Sequence, residues 1–133
     1  MIYLDKEKTK PADIKQDEYG YYVLTGDNTY YVFGDVHIIA FDNVTVESFD
    51  NTKAIVFDDV TVESFDYAKV DAFGRSKVKA YDFSRVEAYQ YSKIESYNYA
   101  KVDAYDRSKV EAYDFSRVEA YSNNSNLIDK RRK

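Results

Sequence analysis

A period of eight residues limits what this chain can fold into more than any other feature. From Phe41 the sequence reads FDNVTVES, FDNTKAIV, FDDVTVES, FDYAKVDA, FGRSKVKA, YDFSRVEA, YQYSKIES, YNYAKVDA, YDRSKVEA and YDFSRVEA, ending at Ala120. FGDVHIIA at 33–40 fits as a further unit, TGDNTYYV at 25–32 is a degenerate one, and YSNNSNLI at 121–128 is a decaying last one. With positions named a to h, a is aromatic from Phe33 to Tyr121, b is mostly Asp, f is nearly always Val or Ile, and h is mostly Ala or Ser. A helix would rotate the aromatic column by ~80° per octad and smear it around the surface. Eight is a multiple of two, so a strand-and-turn unit returns each side chain to the same face. Positions d, f and h, such as Ser84, Val86 and Ala88, then share one face, and the pair at e and g, such as Arg85 and Glu87, takes the other. Asp at b suits a turn, because its carboxylate bonds nearby backbone N–H groups. The predicted fold is all-β, a parallel β-solenoid of 8-residue repeats.

Two observations set the coil length. Residues 65–88 match residues 97–120 at nineteen of twenty-four positions, against eleven for a shift of twenty-four. The implied 32-residue duplication is a whole number of 16-residue coils but not of 24-residue coils. Position c agrees: alternate octads collect Tyr67, Phe83, Tyr99 and Phe115 on one side, and Asp59, Arg75, Tyr91, Arg107 and Asn123 on the other. Raw identity at a shift of sixteen is not elevated and decides nothing. The expectation is two strands (16 residues) per coil and about six coils ~4.8 Å apart. Residues 1–24, with Pro11 and apolar Ile2, Tyr3, Leu4, Tyr21, Tyr22, Val23 and Leu24, form a predicted N-terminal cap; 25–128 form the repeat domain. At the other end Leu127 and Ile128 are expected to fold over the last coil, and 129–133 form a basic tail.

Composition removes several classes of function. The chain has no Cys, so neither a disulfide framework nor a thiolate metal site is open to it. No apolar run reaches the ~18 residues of a membrane span, and the polar start is not a secretory signal. The expected location is the cytoplasm. A net charge of −5 argues against a broad nucleic-acid-binding surface and leaves Lys130-Arg131-Arg132-Lys133 as a local basic patch. The single histidine, His37, lies at an outward e position with no nucleophile pattern around it. The Asp column lacks the paired Gly of calcium-binding β-rolls and is broken by Gly74, Gln90 and Asn98. No enzyme chemistry, metal or cofactor is expected.

What remains is a surface. Lys69, Lys77, Arg85, Lys93, Lys101, Lys109 and Arg117 run down position e, beside a mainly acidic g column that includes Asp71, Glu87, Glu95, Asp103, Glu111 and Glu119. The position-a aromatics are expected outside or at an edge, as one continuous stack. A solvent-facing row of Tyr81, Tyr89, Tyr97, Tyr105 and Tyr113 would be a larger apolar strip than monomers usually expose. These five, with Glu87, Asp103 and Glu119, are the candidate binding residues, for a protein partner or a homodimer contact.

Octads such as Val86-Glu87-Ala88-Tyr89 and Val110-Glu111-Ala112-Tyr113, over residues 33–120, resemble the octapeptide-repeat β-solenoid proteins of phages and mobile elements of gut bacteria. The Ser/Ala-x-Val element also looks like the left-handed hexapeptide acyltransferases, whose period is six. Neither resemblance carries over a functional residue. The first implies a non-enzymatic protein-binding module in a bacterial host, such as an inhibitor of a host defence nuclease of the anti-CRISPR kind. A stalk or fibre segment of a phage or surface assembly is the alternative.

Overall fold

The computed structural model describes residues 2–4, 14–122 and 125–130; Pro11, Asn123, Asn124 and Arg131–Lys133 lie outside the described residues. The chain is a parallel β-solenoid with two strands per coil and about seven turns. Among the described residues each of the two sheets has eight strands. The regular strands are positions e to h of successive octads, from β4 (Thr29–Val32) and β5 (His37–Ala40) to β14 (Lys109–Ala112) and β15 (Arg117–Ala120). From β4 to β15, even-numbered strands form one sheet and odd-numbered strands the other, so each neighbour lies sixteen residues away. Val78 pairs with Ile94 in the first sheet, and Val86 with Val102 in the second.

Each corner consists of positions a to d. The backbone N–H of d donates to the carbonyl of a, as from Ser84 to Tyr81 at 3.2 Å. Residue b has positive φ, between 56° and 64° for the non-glycine residues, as at the first central position of a type II′ turn. Asp and Asn tolerate that left-handed conformation better than other non-glycine residues. The ladder also continues around the bend. N–H groups at a, c and e donate to the coil before, as from Tyr97 to Ala80, Tyr99 to Asp82 and Lys101 to Ser84 at 2.8–3.0 Å. These corners therefore spend their backbone groups on neighbouring coils.

The interior follows the columns. The f residues from Val46 to Val110, with Ala54 among them, are buried; each Val or Ile contributes about 1.5–3 kcal/mol on burial. Small residues at d and h fill the remaining space. Ser76, Ser92 and Ser108 stack on one side of the interior, and their buried hydroxyls have no hydrogen-bond partner among the described residues. Ala68 and Ala100 already occupy the same octad position on the other side. Ser92→Ala is therefore expected to stabilise the fold by about 1 kcal/mol, the desolvation cost of an unpaired hydroxyl, as measured by urea denaturation.

The two ends differ. At the start, β1 (Ile2–Leu4) pairs in parallel with β4, and β3 (Tyr22–Leu24) pairs in parallel with β5. The short β2 (Lys15–Gln16) runs antiparallel to β3 and ends the second sheet; Leu4, Ile14 and Leu24 are buried beneath this arrangement. At the far end, Leu127 and Ile128 do not fold over the last coil. They belong to β16 (Asn126–Asp129), which pairs with β14 at a spacing of seventeen residues and extends the first sheet. Both sheets gain strands from segments outside the regular octads, which is why there are about seven turns rather than six.

Candidate functional site

The position-a aromatics stand at the corners, half-buried except for exposed Tyr121. They stack in two ladders because the coil is sixteen residues long. Phe33, Phe49, Phe65, Tyr81, Tyr97 and Tyr113 form one, with centroids 4.8–5.0 Å apart. Phe41, Phe57, Phe73, Tyr89, Tyr105 and Tyr121 form the other, with centroids 4.7–5.2 Å apart. The single row Tyr81–Tyr89–Tyr97–Tyr105–Tyr113 therefore does not exist: three of its members lie on one edge of the rod and two on the other. Nor is it an open apolar strip. Each ring covers its neighbour, and the Tyr97 and Tyr113 hydroxyls donate to Glu95 and Glu111 at 2.8 and 2.9 Å. On the other edge Tyr89 donates to Glu87 at 3.2 Å, and Tyr121 to Glu119.

The acidic candidates Glu87, Asp103 and Glu119 do come together. They lie in register on the outer face of the second sheet, continuing from Asp71, with Tyr89 and Tyr105 at the adjoining corner. Stacking carboxylates at strand spacing has a titration consequence. Asp71 is pushed up from 3.8 to about 6, first by burial and then by the Glu87 carboxylate with which it shares a hydrogen bond; Lys53 and Lys69 pull it partly back. Burial also raises Asp103. Tyr89 is pushed up to about 12 by burial and by its bond to Glu87.

For Asp71 the native chain holds the proton more tightly than the unfolded chain. Stability attached to this group is therefore greatest below pH 4 and is lost as pH rises through about 6. Asp71→Asn is expected to be the more stable protein at pH 7, by about 1 kcal/mol once solvent screening is allowed for, or a few degrees in Tm. Thermal melts at pH 7 and pH 4 check this: the gain should vanish at the lower pH.

The Asp column at b has a different job. Its carboxylates reach the preceding coil: Asp50 accepts from the Gly34 N–H at 2.9 Å, Asp66 from Asp50 at 3.0 Å, and Asp82 from Asp66 at 2.9 Å. Gln90 and Asn98 accept from Gly74 and Asp82 through their amide oxygens. The expected turn contact is thus a clamp between coils sixteen residues apart, and it works with or without charge. That use of the carboxylate oxygens supports a structural reading over a calcium site.

Position c supplies residues that the octad pattern does not single out as a site. Tyr67, Phe83, Tyr99 and Phe115 are 60%, 52%, 56% and 68% exposed and stack 5.4–5.6 Å apart along one edge. Asp50, Asp66, Asp82, Asn98 and Asp114 run beside them at position b, and the basic e residues Lys69, Arg85, Lys101 and Arg117 begin the strands two residues beyond the rings. The opposite edge carries exposed Asp59, Arg75, Tyr91 and Arg107 at position c. His37 is exposed and packs against the Tyr21 ring, 5.3 Å between centroids. Of the basic tail, Lys130 lies over the Tyr113 ring at 5.8 Å. Among the described residues no group of three or more His, Asp or Glu is placed to hold a metal ion, and no helix is long and apolar enough to cross a membrane.

The repeat and its register define the class, a two-sheet β-solenoid with aromatic corner ladders. In comparisons with known proteins, no family model, curated protein or solved structure matches the chain.

Proposed function

We propose that the protein is a non-enzymatic protein-binding module whose acidic, aromatic edge docks a basic surface of its partner. The observation that carries this reading is the edge itself. Carboxylates of Asp50, Asp66 and Asp82 stand at coil spacing and that of Asp114 two coils further on, past Asn98, each held by a bond from the backbone, beside four rings that remain more than half exposed. Negative charge at a fixed spacing on a rigid rod suits the positively charged groove of a nucleic-acid enzyme. The resemblance to repeat proteins of phages and mobile elements supports the finer reading, an inhibitor of a host defence nuclease acting in the bacterial cytoplasm.

The test is capture from host lysate followed by binding of the purified partner. A nuclease bound in a salt-sensitive manner, competed by DNA and lost with Phe83→Lys, is the expected result. Recovery of virion proteins alone would overturn it and favour the stalk or fibre segment. That second reading has its own support. No described strand pairs with the outer edges of β15 and β16, where Val118 is half-buried and Leu127 is 41% exposed. Such an edge is a template for further pairing.

A further inference from the structure

We propose that copies of this chain associate side by side, the edge bearing Arg75, Tyr91 and Arg107 of one seated against the edge bearing Tyr67, Phe83, Tyr99 and Phe115 of the next. Over the stretch from Arg75 to Arg107 the b and c positions of the two edges are complementary in charge. Along the aromatic edge Asp66, Asp82 and Asp114 stand at b, and no base stands at b or c between 66 and 115. On the opposite edge, between 74 and 107, Gly74 and Gln90 stand at b beside Arg75 and Tyr91, and Asp106 stands beside Arg107, so that one carboxylate faces two arginines; Asp58 and Asp59 lie one coil before Arg75. Asp66 and Asp82 each give one carboxylate oxygen to the coil before, which leaves the other for a guanidinium.

The edges also match in register. Corners alternate sides every eight residues while the coil repeats every sixteen, so the two edges are staggered by half a coil. With the rise of each coil shared evenly between its two corners, a purely sideways shift sets Arg75 between the rungs of Tyr67 and Phe83, Tyr91 between Phe83 and Tyr99, and Arg107 between Tyr99 and Phe115. Identical pitch keeps this interlock along the whole contact. The exposed aromatic strip supplies the apolar area, and the arginine–aspartate pairs supply the register.

Two-fold alternatives are unfavourable. Joining aromatic edge to aromatic edge places one Asp column against another, and joining the opposite edges leaves the aromatic strip uncovered. The contact is therefore head-to-tail across the rod's width, and it does not close on itself. A sideways array occupies the acidic edge assigned above to a foreign partner, so the two associations compete, but neither inference depends on the other.

Sedimentation velocity on the full chain over a concentration series tests this. The average mass should rise with concentration and fall with added salt. Arg75→Ser with Arg107→Ser, and separately Phe83→Lys with Tyr99→Lys, should each weaken self-association by about tenfold or more while circular dichroism still reports β-structure. Mixed in equal amounts, the two variants retain one good edge each and should form a two-chain species and nothing larger. A wild-type chain that stays monomeric at every concentration would overturn the proposal. So would association unchanged in both variants, which would place the contact at β15 and β16. The arginine variant keeps the aromatic edge, so partner capture by it reports on the protein-binding reading separately.

Discussion

Excising residues 81–96 is expected to leave a folded rod one coil shorter, whereas excising 82–88 should abolish cooperative folding. Ala80 ends a strand of the first sheet and is followed by the corner 81–84. Joining it to Tyr97 restores the same corner type, the same sheet and the same columns. A repeat protein loses about one interface and one repeat by such a cut, so urea denaturation should show a lower but still sharp transition. Removing seven residues shifts every later side chain by an odd number. Lys93 and Glu95 would then point inward and Ile94 outward, and charges without partners in a Val–Ala interior cost several kcal/mol per coil. Excising 81–88 is the informative intermediate. The interior columns survive, but the two edges exchange beyond the cut, so that Tyr91 and Arg107 follow Tyr67. That variant should fold and should lose both partner binding and sideways association.

The 16-residue coil was legible because the exposed position c is free of packing constraints. Tyr67, Phe83, Tyr99 and Phe115 show an alternation that the interior column, mostly Val on both sheets, does not show. The same coil length already implies that Tyr81 and Tyr89 lie on opposite edges; treating position a as one row followed the octad and neglected the coil. The acceptor of the Asp column was hidden for another reason. A carboxylate at b satisfies a local turn and an adjacent coil equally well in sequence terms, and only stacking decides between them. Gln90 was the available hint, since a side chain one carbon longer is a poor mimic of an Asp turn yet reaches a neighbouring coil. The raised Asp71 was not legible, because its causes are burial on the sheet face and then a carboxylate sixteen residues away in the adjoining strand, Glu87. The ends depended on pairing that no repeat encodes, and β16 joins its sheet only through a seventeen-residue step.

Replacing Asp82 should rank its substitutes in an order that identifies what the b column does. The residue sits at φ 59°, accepts the Asp66 N–H at 2.9 Å, and donates its own N–H to Asn98 at 2.9 Å. Asp82→Ala removes a charge-assisted bond and leaves a β-carbon in the left-handed region without local compensation. Together these cost about 3 kcal/mol. Asp82→Gly loses the bond but relieves the strain, for about 2 kcal/mol. Asp82→Asn keeps both features, as Asn98 does one coil later, and should stay within about 1 kcal/mol of wild type. The order Asn, Gly, Ala in urea denaturation inverts the usual advantage of Ala over Gly and so isolates the backbone conformation. An Ala variant as stable as the Asn variant would mean that the interstrand ladder alone holds the corners. Because the clamp needs an acceptor and not a charge, Asp66→Asn with Asp82→Asn removes two negative charges from the aromatic edge while keeping the rod. Loss of partner binding or of sideways association in that double variant is then an effect of charge, because the fold that displays it is intact.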